Sequence, residues 1–369
     1  MNPFTLGIAH HDQFCNRRQE IETLKKNMLA GIHTVVYAPR RYGKSSLARV
    51  VCGELEGAMT GICIDLFSVT SSVSAVRKIY RGIVAALGAR AVDRSSFAQK
   101  ISTFFKKIRL SLEFAPATST PEFSLSLGDH PAEVHLEQVI ANLDAFCASL
   151  AIRVCLVLDE FQEICTLKDA KMVEGLLREG MQNARHVTFL MMGSRRTLLR
   201  EMFEEKKRPF YKSAYVLPLS PIPATEFTTF LRERFAAEQM PIGPEEAATI
   251  VDFTDGYPFY TQKLAMLYYE LRQAGEPLSA ACRQLLEMES ADFENIFVAL
   301  TTHQKQLLKS VAAASPKNIH AASFLAAHGL GSQGGIQSSL KKLKSLDLIE
   351  NTDQGWRVTD PILARWLVL

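Results

Sequence analysis

Long apolar runs are missing from this 369-residue sequence: the longest unbroken ones, such as Val154–Leu158, are far too short to span a bilayer. The first residues, MNPFTLGIAHHDQF, lack the basic start and apolar run of a secretory signal, so a cytoplasmic chain with no membrane partner is expected. The cysteines (15, 52, 63, 147, 155, 165 and 282) are odd in number and widely spaced, with no CxxC pair. That pattern excludes a disulfide scaffold and leaves reduced core thiols. The nine histidines form no HxxxH or His/Cys ligand spacing, which excludes a metal site built on imidazole or thiolate. No GxSxG nucleophile elbow and no repeat of 20–50 residues occur. Charge excess is also small, with 42 Lys+Arg against 39 Asp+Glu, so the chain as a whole is no polyelectrolyte binder.

What is present is an ordinary globular composition, 47% hydrophobic and 22% charged. The length suggests two or three domains at ~100–200 residues each. Short apolar, β-branched runs recur at His33–Tyr37, Gly61–Phe67, Val154–Leu158, Val187–Met192 and Tyr215–Leu219. Helical patterns lie between them at Lys44–Glu56, Val73–Leu87, Leu136–Leu150 and Lys171–Gln182. Continuous apolar runs alternating with helices predict a parallel α/β sheet covered on both faces. Ile108–Phe114 and Phe123–Leu127 instead alternate apolar with polar, which predicts an inserted β-hairpin near 108–127. From Pro223 onward the patterns are helical (Ala224–Ala237, Glu245–Phe253, Pro258–Gln273, Leu278–Leu300). After Thr301, three helical stretches (Thr302–Ala314, Ala321–His328, Gln333–Leu346) precede two short β-like runs, Asp347–Glu350 and Trp356–Thr359. That is the pattern of a winged helix-turn-helix. The expected division is a nucleotide-binding core over 1–222, a helical lid over 223–300 and a winged helix over 301–369.

The sharpest local signal is Ala38-Pro39-Arg40-Arg41-Tyr42-Gly43-Lys44-Ser45, followed by Ser46, which fits the phosphate-loop pattern with Ala in place of its first Gly. A strand delivers the chain into a tight loop whose N–H groups surround phosphates, and a helix N-terminus adds its free N–H groups and positive dipole end. Gly43 allows close approach, Lys44 reaches the terminal phosphates and the Ser45 hydroxyl is an Mg²⁺ ligand. Were the Ala38 position to require positive φ, the side chain would cost ~1 kcal/mol. The second signal is the strand Val154–Leu158 ending in Asp159 and Glu160. Asp159 is placed to support Mg²⁺ and Glu160 to polarise the attacking water. A third strand ends in Gly193-Ser194-Arg195-Arg196, where Ser194 or Arg195 is placed to sense the terminal phosphate. Arg196, Arg200 or Arg208 serve as arginine fingers only if subunits pack edge to edge, so an oligomer is left open.

Together, Phe14-Cys15-Asn16-Arg17 with Glu20, YAPRRYGKSSL, LVLDEFQ, GSRRTLLREMF, RPFYKSA, Gly256-Tyr257-Pro258 and TDPILARWL resemble the archaeal-type ATPases within the STAND branch of AAA+-like P-loop NTPases. The resemblance covers nearly the whole chain. It implies an ATP hydrolase that uses Mg²⁺ with ATP or ADP, often as a nucleotide-controlled switch of modest turnover. It further implies that Phe14 and Arg17 lie near the adenine or fix the N-terminal arm, and that Pro258 packs on the base and couples nucleotide state to domain closure. The alternative is a DNA- or protein-binding regulator that holds ADP or ATP as a structural latch. Residues 301–369 carry eight basic side chains (Lys305, Lys309, Lys317, Lys341, Lys342, Lys344, Arg357 and Arg365) against four acids (Asp347, Glu350, Asp353 and Asp360). The third helix of that segment holds Ser338, Ser339, Lys341, Lys342 and Lys344, a face suited to weak, salt-sensitive DNA contact or to a protein partner.

Overall fold

The computed structural model describes residues 2–9, 13–89, 132–331 and 333–369. The hairpin expected near 108–127 lies outside the described residues. The chain folds into two compact units, one made of Met1–Arg17, Pro39–Ser46 and Ser220–Leu369, the other of Arg18–Ala38 and Leu47–Leu219.

The second unit is a five-stranded parallel sheet with helices on both faces. Its elements are α1 (Arg18–Leu29), β1 (Thr34–Tyr37), the bulk of α2 (Lys44–Glu54), β2 (Thr60–Asp65), α3 (Ser72–Ala89), α4 (Ala132–Ser149), β3 (Val154–Asp159), a 3₁₀ turn (Phe161–Thr166), α5 (Ala170–Asn183), β4 (Val187–Gly193), α6 (Arg196–Glu204) and β5 (Tyr215–Pro218). The strand order is β2-β3-β4-β1-β5. β4 is buried along its whole length and β3 everywhere but its last residue, as the unbroken apolar runs require. Alternate residues separate to the two faces. Leu156, Leu158, Phe189 and Met191 join Ile79, Ile83, Ile140, Leu143 and Leu177 of α3–α5 in one core. On the opposite face, Cys155 meets Met28 of α1, and Thr188 Oγ1 donates to the Met28 carbonyl at 3.3 Å.

Two helices of this unit, α1 and α6, are absent from the strand-and-helix reading of the sequence. α1 does carry a legible stripe, since Ile21, Leu24 and Met28 are its buried face. It precedes the first strand, where the alternation gives no reason to look.

The first unit continues with α7 (Ala224–Ala237), α8 (Pro244–Phe253), α9 (Pro258–Gln273) and α10 (Leu278–Val298). Prolines open α8 and α9 at positions where no N–H is needed. Then come α11 (Thr302–Ala314), α12 (Ala322–Ala327), α13 (Gln333–Ser345), the antiparallel hairpin β6 (Ile349–Thr352) and β7 (Gly355–Val358), and α14 (Pro361–Leu367). A reciprocal cap between Thr301 and Gln304 starts α11, and Asp360 accepts from the N–H groups of Ile362 and Leu363 to start α14. The N-terminal arm belongs to this unit. The Phe4 ring packs at a tilt against Phe235 of α7, centroids 5.1 Å apart, and Asn2 donates to the Met266 carbonyl of α9. Both tryptophans pack internally, Trp366 against Phe293 and Phe297 of α10. All seven cysteines are free.

Gly82 lets α3 approach the sheet. A Cβ there would sit 2.5 Å from Ile64 Cγ1 and 2.9 Å from Cδ1. Gly82→Ala is expected to cost ~1–3 kcal/mol through overpacking, read as a lower urea midpoint; an unchanged midpoint would mean that Ile64 yields freely.

Candidate nucleotide site

β1 leads directly into the loop at Ala38, and α2 begins at Lys44. The left-handed residues of the loop are Arg41 (φ 61°) and Gly43 (φ 83°), not Ala38. The backbone penalty considered for alanine at the first loop position therefore does not arise. Gly43 has the conformation that a side chain resists.

Within its own unit the loop is held from several sides. Buried Arg17 donates from Nη1 to the Ser220 carbonyl at 2.9 Å and from Nη2 to the Tyr42 carbonyl at 3.4 Å, and its guanidinium lies over the Tyr42 ring. Tyr257, just ahead of Pro258 at the first turn of α9, donates from its hydroxyl to the Arg40 carbonyl and meets the Tyr42 ring edge-on at 5.1 Å. Burial pushes the Tyr42 hydroxyl up to about 12, so it stays protonated. Lys44 Nζ donates to the Pro39 carbonyl at 2.9 Å, and Ser46 Oγ accepts from the Ala9 N–H at 3.0 Å. Ser45 is half-buried in the first turn of α2, and Phe14 and Pro258 are likewise half-buried.

Sequence reasoning missed the partner of Arg41. Its guanidinium stacks 4.4 Å over Phe259 and reaches Glu289 Oε2 at 3.4 Å. Glu289, buried on α10, also binds Lys263 of α9, and it lies 3.4 Å from the Tyr260 hydroxyl. That hydroxyl in turn donates to Asp360 Oδ2, the cap of α14, at 2.7 Å. A loop arginine, two lid helices and the last winged-helix segment thus share one polar cluster. No spacing rule announces it, because its members lie far apart in sequence.

In the sheet unit, the acids stand at the carboxyl end of β3. Asp159 Oδ1 accepts from the Glu160 N–H at 2.9 Å, and Glu160 itself is left-handed (φ 51°, ψ 40°). Ser194, buried at the end of β4, donates from Oγ to Glu160 Oε2 at 2.8 Å. The structure therefore brings together Glu160 and Ser194. Both sit at the carboxyl edge of the sheet, where β1 also ends, since Tyr37 pairs with Gly193.

The arginines separate by environment. Arg195 is exposed ahead of α6, Arg196 is half-buried in its first turn, and exposed Arg200 reaches Glu204 at 3.3 Å. Arg208, considered above as a finger, is paired with Glu174 of α5, whose side chain is 0% exposed, and it contacts Cys165 Sγ at 3.1 Å. Burial raises the Glu174 carboxyl above its ordinary range, and the Arg208 charge opposes that rise. Arg208→Met is expected to cost ~3–5 kcal/mol by stranding a buried carboxylate. Without Arg208 the carboxyl shifts further up, so ionising it in the fold costs more as pH rises above its unfolded value. The loss should therefore be larger at pH 8 than at pH 5. Denaturant titrations at both pH values check this; a pH-independent loss would contradict it.

Comparison with known proteins identifies the fold and the family. A family model described as "ATPase domain predominantly from Archaea" matches residues 14–264, and one described as "Probable winged helix domain" matches residues 291–368. Among solved structures, a Walker-type ATPase of Pyrococcus abyssi is similar at 19% identity and a TM-score of 0.71, covering 99% of both chains. The ORC2 protein of Aeropyrum pernix, in its ADPNP–ADP complexes, is similar at 18% identity and a TM-score of 0.61, covering 95% of this chain and 92% of that one. A search of curated proteins by sequence returns no match. Among the described residues no helix is long and apolar enough to cross a membrane. The chain belongs to the family of ATPase domains found predominantly in Archaea, a P-loop fold with a winged helix at its C-terminal end.

Proposed function

We propose that this chain hydrolyses ATP and uses the nucleotide to control the attachment of its lid and winged helix. The carrying observation is the Glu160–Ser194 hydrogen bond, a carboxylate oriented by a hydroxyl at the sheet edge where β1 also ends. In this reading residues 38–46 cradle the phosphates, with Lys44 on the terminal ones. Ser194 and Arg195 are the groups assigned to sense them. Arg17 has a visible task in holding the Tyr42 and Ser220 carbonyls, which makes it a brace for the loop. Phe14 and Pro258 are assigned to the base. Mg²⁺ fits the donor set, because Ser45 and Asp159 offer hard oxygens and this ion takes few protein ligands. When bound, the metal neutralises charge on the β/γ-phosphates. Glu160 takes the proton of the attacking water.

The division into a core over 1–222, a lid over 223–300 and a winged helix over 301–369 serves this reading as three working parts. Support for a switch comes from how the winged helix is tied down. Arg357 of the wing pairs with Asp255 at 2.8 Å and Glu350 at 2.7 Å. Arg365 of α14 donates to the Phe253 and Asp252 carbonyls at the end of α8, where a cation meets the negative end of the helix dipole. These two arginines are occupied inside the chain. Ser339 also turns inward, sharing a 2.8 Å hydrogen bond with His303, so of the residues proposed to face DNA, Ser338, Lys341, Lys342 and Lys344 remain exposed. That favours an internal or protein-contact role for the winged helix over DNA binding. The Arg41–Glu289 pair specifically favours the second reading, a latch with negligible turnover, because the carboxylate holds a loop cation that phosphate otherwise attracts.

Glu160→Gln decides between the two. Hydrolysis requires a fall in kcat on the order of 10²–10⁴-fold with ATP affinity retained; unchanged, slow phosphate release would favour the latch. The switch has its own test in Arg365→Ala. Losing these contacts is expected to speed nucleotide release on the order of tenfold, the equivalent of ~1.4 kcal/mol, measured by chasing a fluorescent nucleotide. An unaltered release rate would remove the switch from the account.

A further inference from the structure

Two donors converge on one oxygen of Glu160. Ser194 Oγ and Gln162 Nε2 both bind Oε2, whereas Oε1 has no protein partner among the described residues and Glu160 remains partly exposed. One hydrogen bond would leave the carboxylate free to rotate about its terminal bond; a second from another direction stops that rotation. The result is a carboxylate with one oxygen tied and one presented.

Gln162 is held in this position at a cost. It is 1% exposed, and its own Oε1 is buried with no hydrogen-bond partner. An orphaned buried acceptor is unfavourable, and each such group in a fold calls for an explanation. Turning the amide over gives no relief, because that sets oxygen against the Glu160 carboxylate. Nor is there room to spare: a Cβ at Gly193 would overlap Gln162 Oε1 and lie 2.7 Å from Leu199 Cδ1. The φ of Gly193 is not among the positive values. Glycine is needed there for the close approach of the amide, not for its backbone conformation.

We propose that Gln162 is a positioning residue for hydrolysis: it fixes Glu160 so that Oε1 alone faces the attacking water, and Gly193 makes the space that allows it. The proposal rests on the hydrolytic reading above. In the step it serves, the water oxygen bonds to the γ-phosphorus, the bond to the β–γ bridging oxygen breaks to release ADP, and the water proton passes to Glu160 Oε1.

Gln162→Met keeps the volume and removes both the donor and the orphaned oxygen. Its expected signature is a ten- to hundredfold loss in kcat, an unchanged ATP dissociation constant and an unchanged or higher unfolding midpoint. A merely structural role gives the opposite, a lower midpoint with kcat per folded molecule intact, and overturns the proposal. In a Glu160→Gln background, Gln162→Met should change kcat no further; an equal additional loss would mean that Gln162 acts independently of Glu160, and also overturns it. Gly193→Ala, which displaces the amide without removing it, should reproduce the kcat loss; full activity in that variant counts against the proposal. Absence of turnover in the wild-type protein overturns the hydrolytic reading itself, an outcome distinct from wild-type turnover that is indifferent to Gln162.

Discussion

Parallel pairing of β1, β3 and β4 is the constraint from which the site follows. With Tyr37 opposite Gly193 and Leu158 opposite Met191, the three strands leave the sheet at one edge. Ala38 follows β1, Asp159 closes β3 with Glu160 next in the chain, and Ser194 follows β4. The apolar runs that make the strands are thus also what delivers polar residues to a common edge. The acid of β3 is its last residue, Asp159, followed at once by Glu160, and Ser194 is the first polar residue after the five apolar or small positions Phe189–Gly193 of β4.

A second centre organises the other unit. Glu289 sits in the interior of α10 with Lys263, Tyr260 and Arg41 around it. Burying a carboxylate is costly unless it is so paired. The Tyr260 hydroxyl carries the network on to Asp360, whose carboxyl is raised by burial and opposed by the N–H groups it caps. A phosphate-loop arginine and the start of α14 are therefore three polar contacts from one another, through Glu289 and Tyr260. Arrangements of this kind have discrete states, since a cation exchanged from Glu289 to another anion leaves a buried charge behind.

Much of this was legible in the residues. β1, β3 and β4 announce themselves as unbroken apolar runs because both faces of the sheet are covered. The phosphate loop and the acids are legible because their chemistry restricts residue type and order. α7, α9 and α11 have the bounds read from their Pro, Gly and capping signals. What stayed hidden depends on tertiary neighbours. Arg208 reads as a candidate finger until Glu174 is found beneath it. Ser339 reads as a groove-facing hydroxyl until His303 is seen behind it. Gln162 reads as one more residue of a strand exit, and only its contact with Glu160 and the missing Cβ of Gly193 give it a task. The conformation at Ala38 was likewise invisible, because the left-handed turn of the loop falls on Arg41 and Gly43.

The central claim is that one site binds ATP and turns it over, and the most direct test is made on the purified wild-type protein. Nucleotide released by acid is identified and counted, and steady-state phosphate release is measured alongside in Mg²⁺ and ATP. The account requires substoichiometric nucleotide and sustained phosphate release that a chelator abolishes. About one ADP per chain with no release above background would contradict it, and would make the nucleotide a fixed part of the fold.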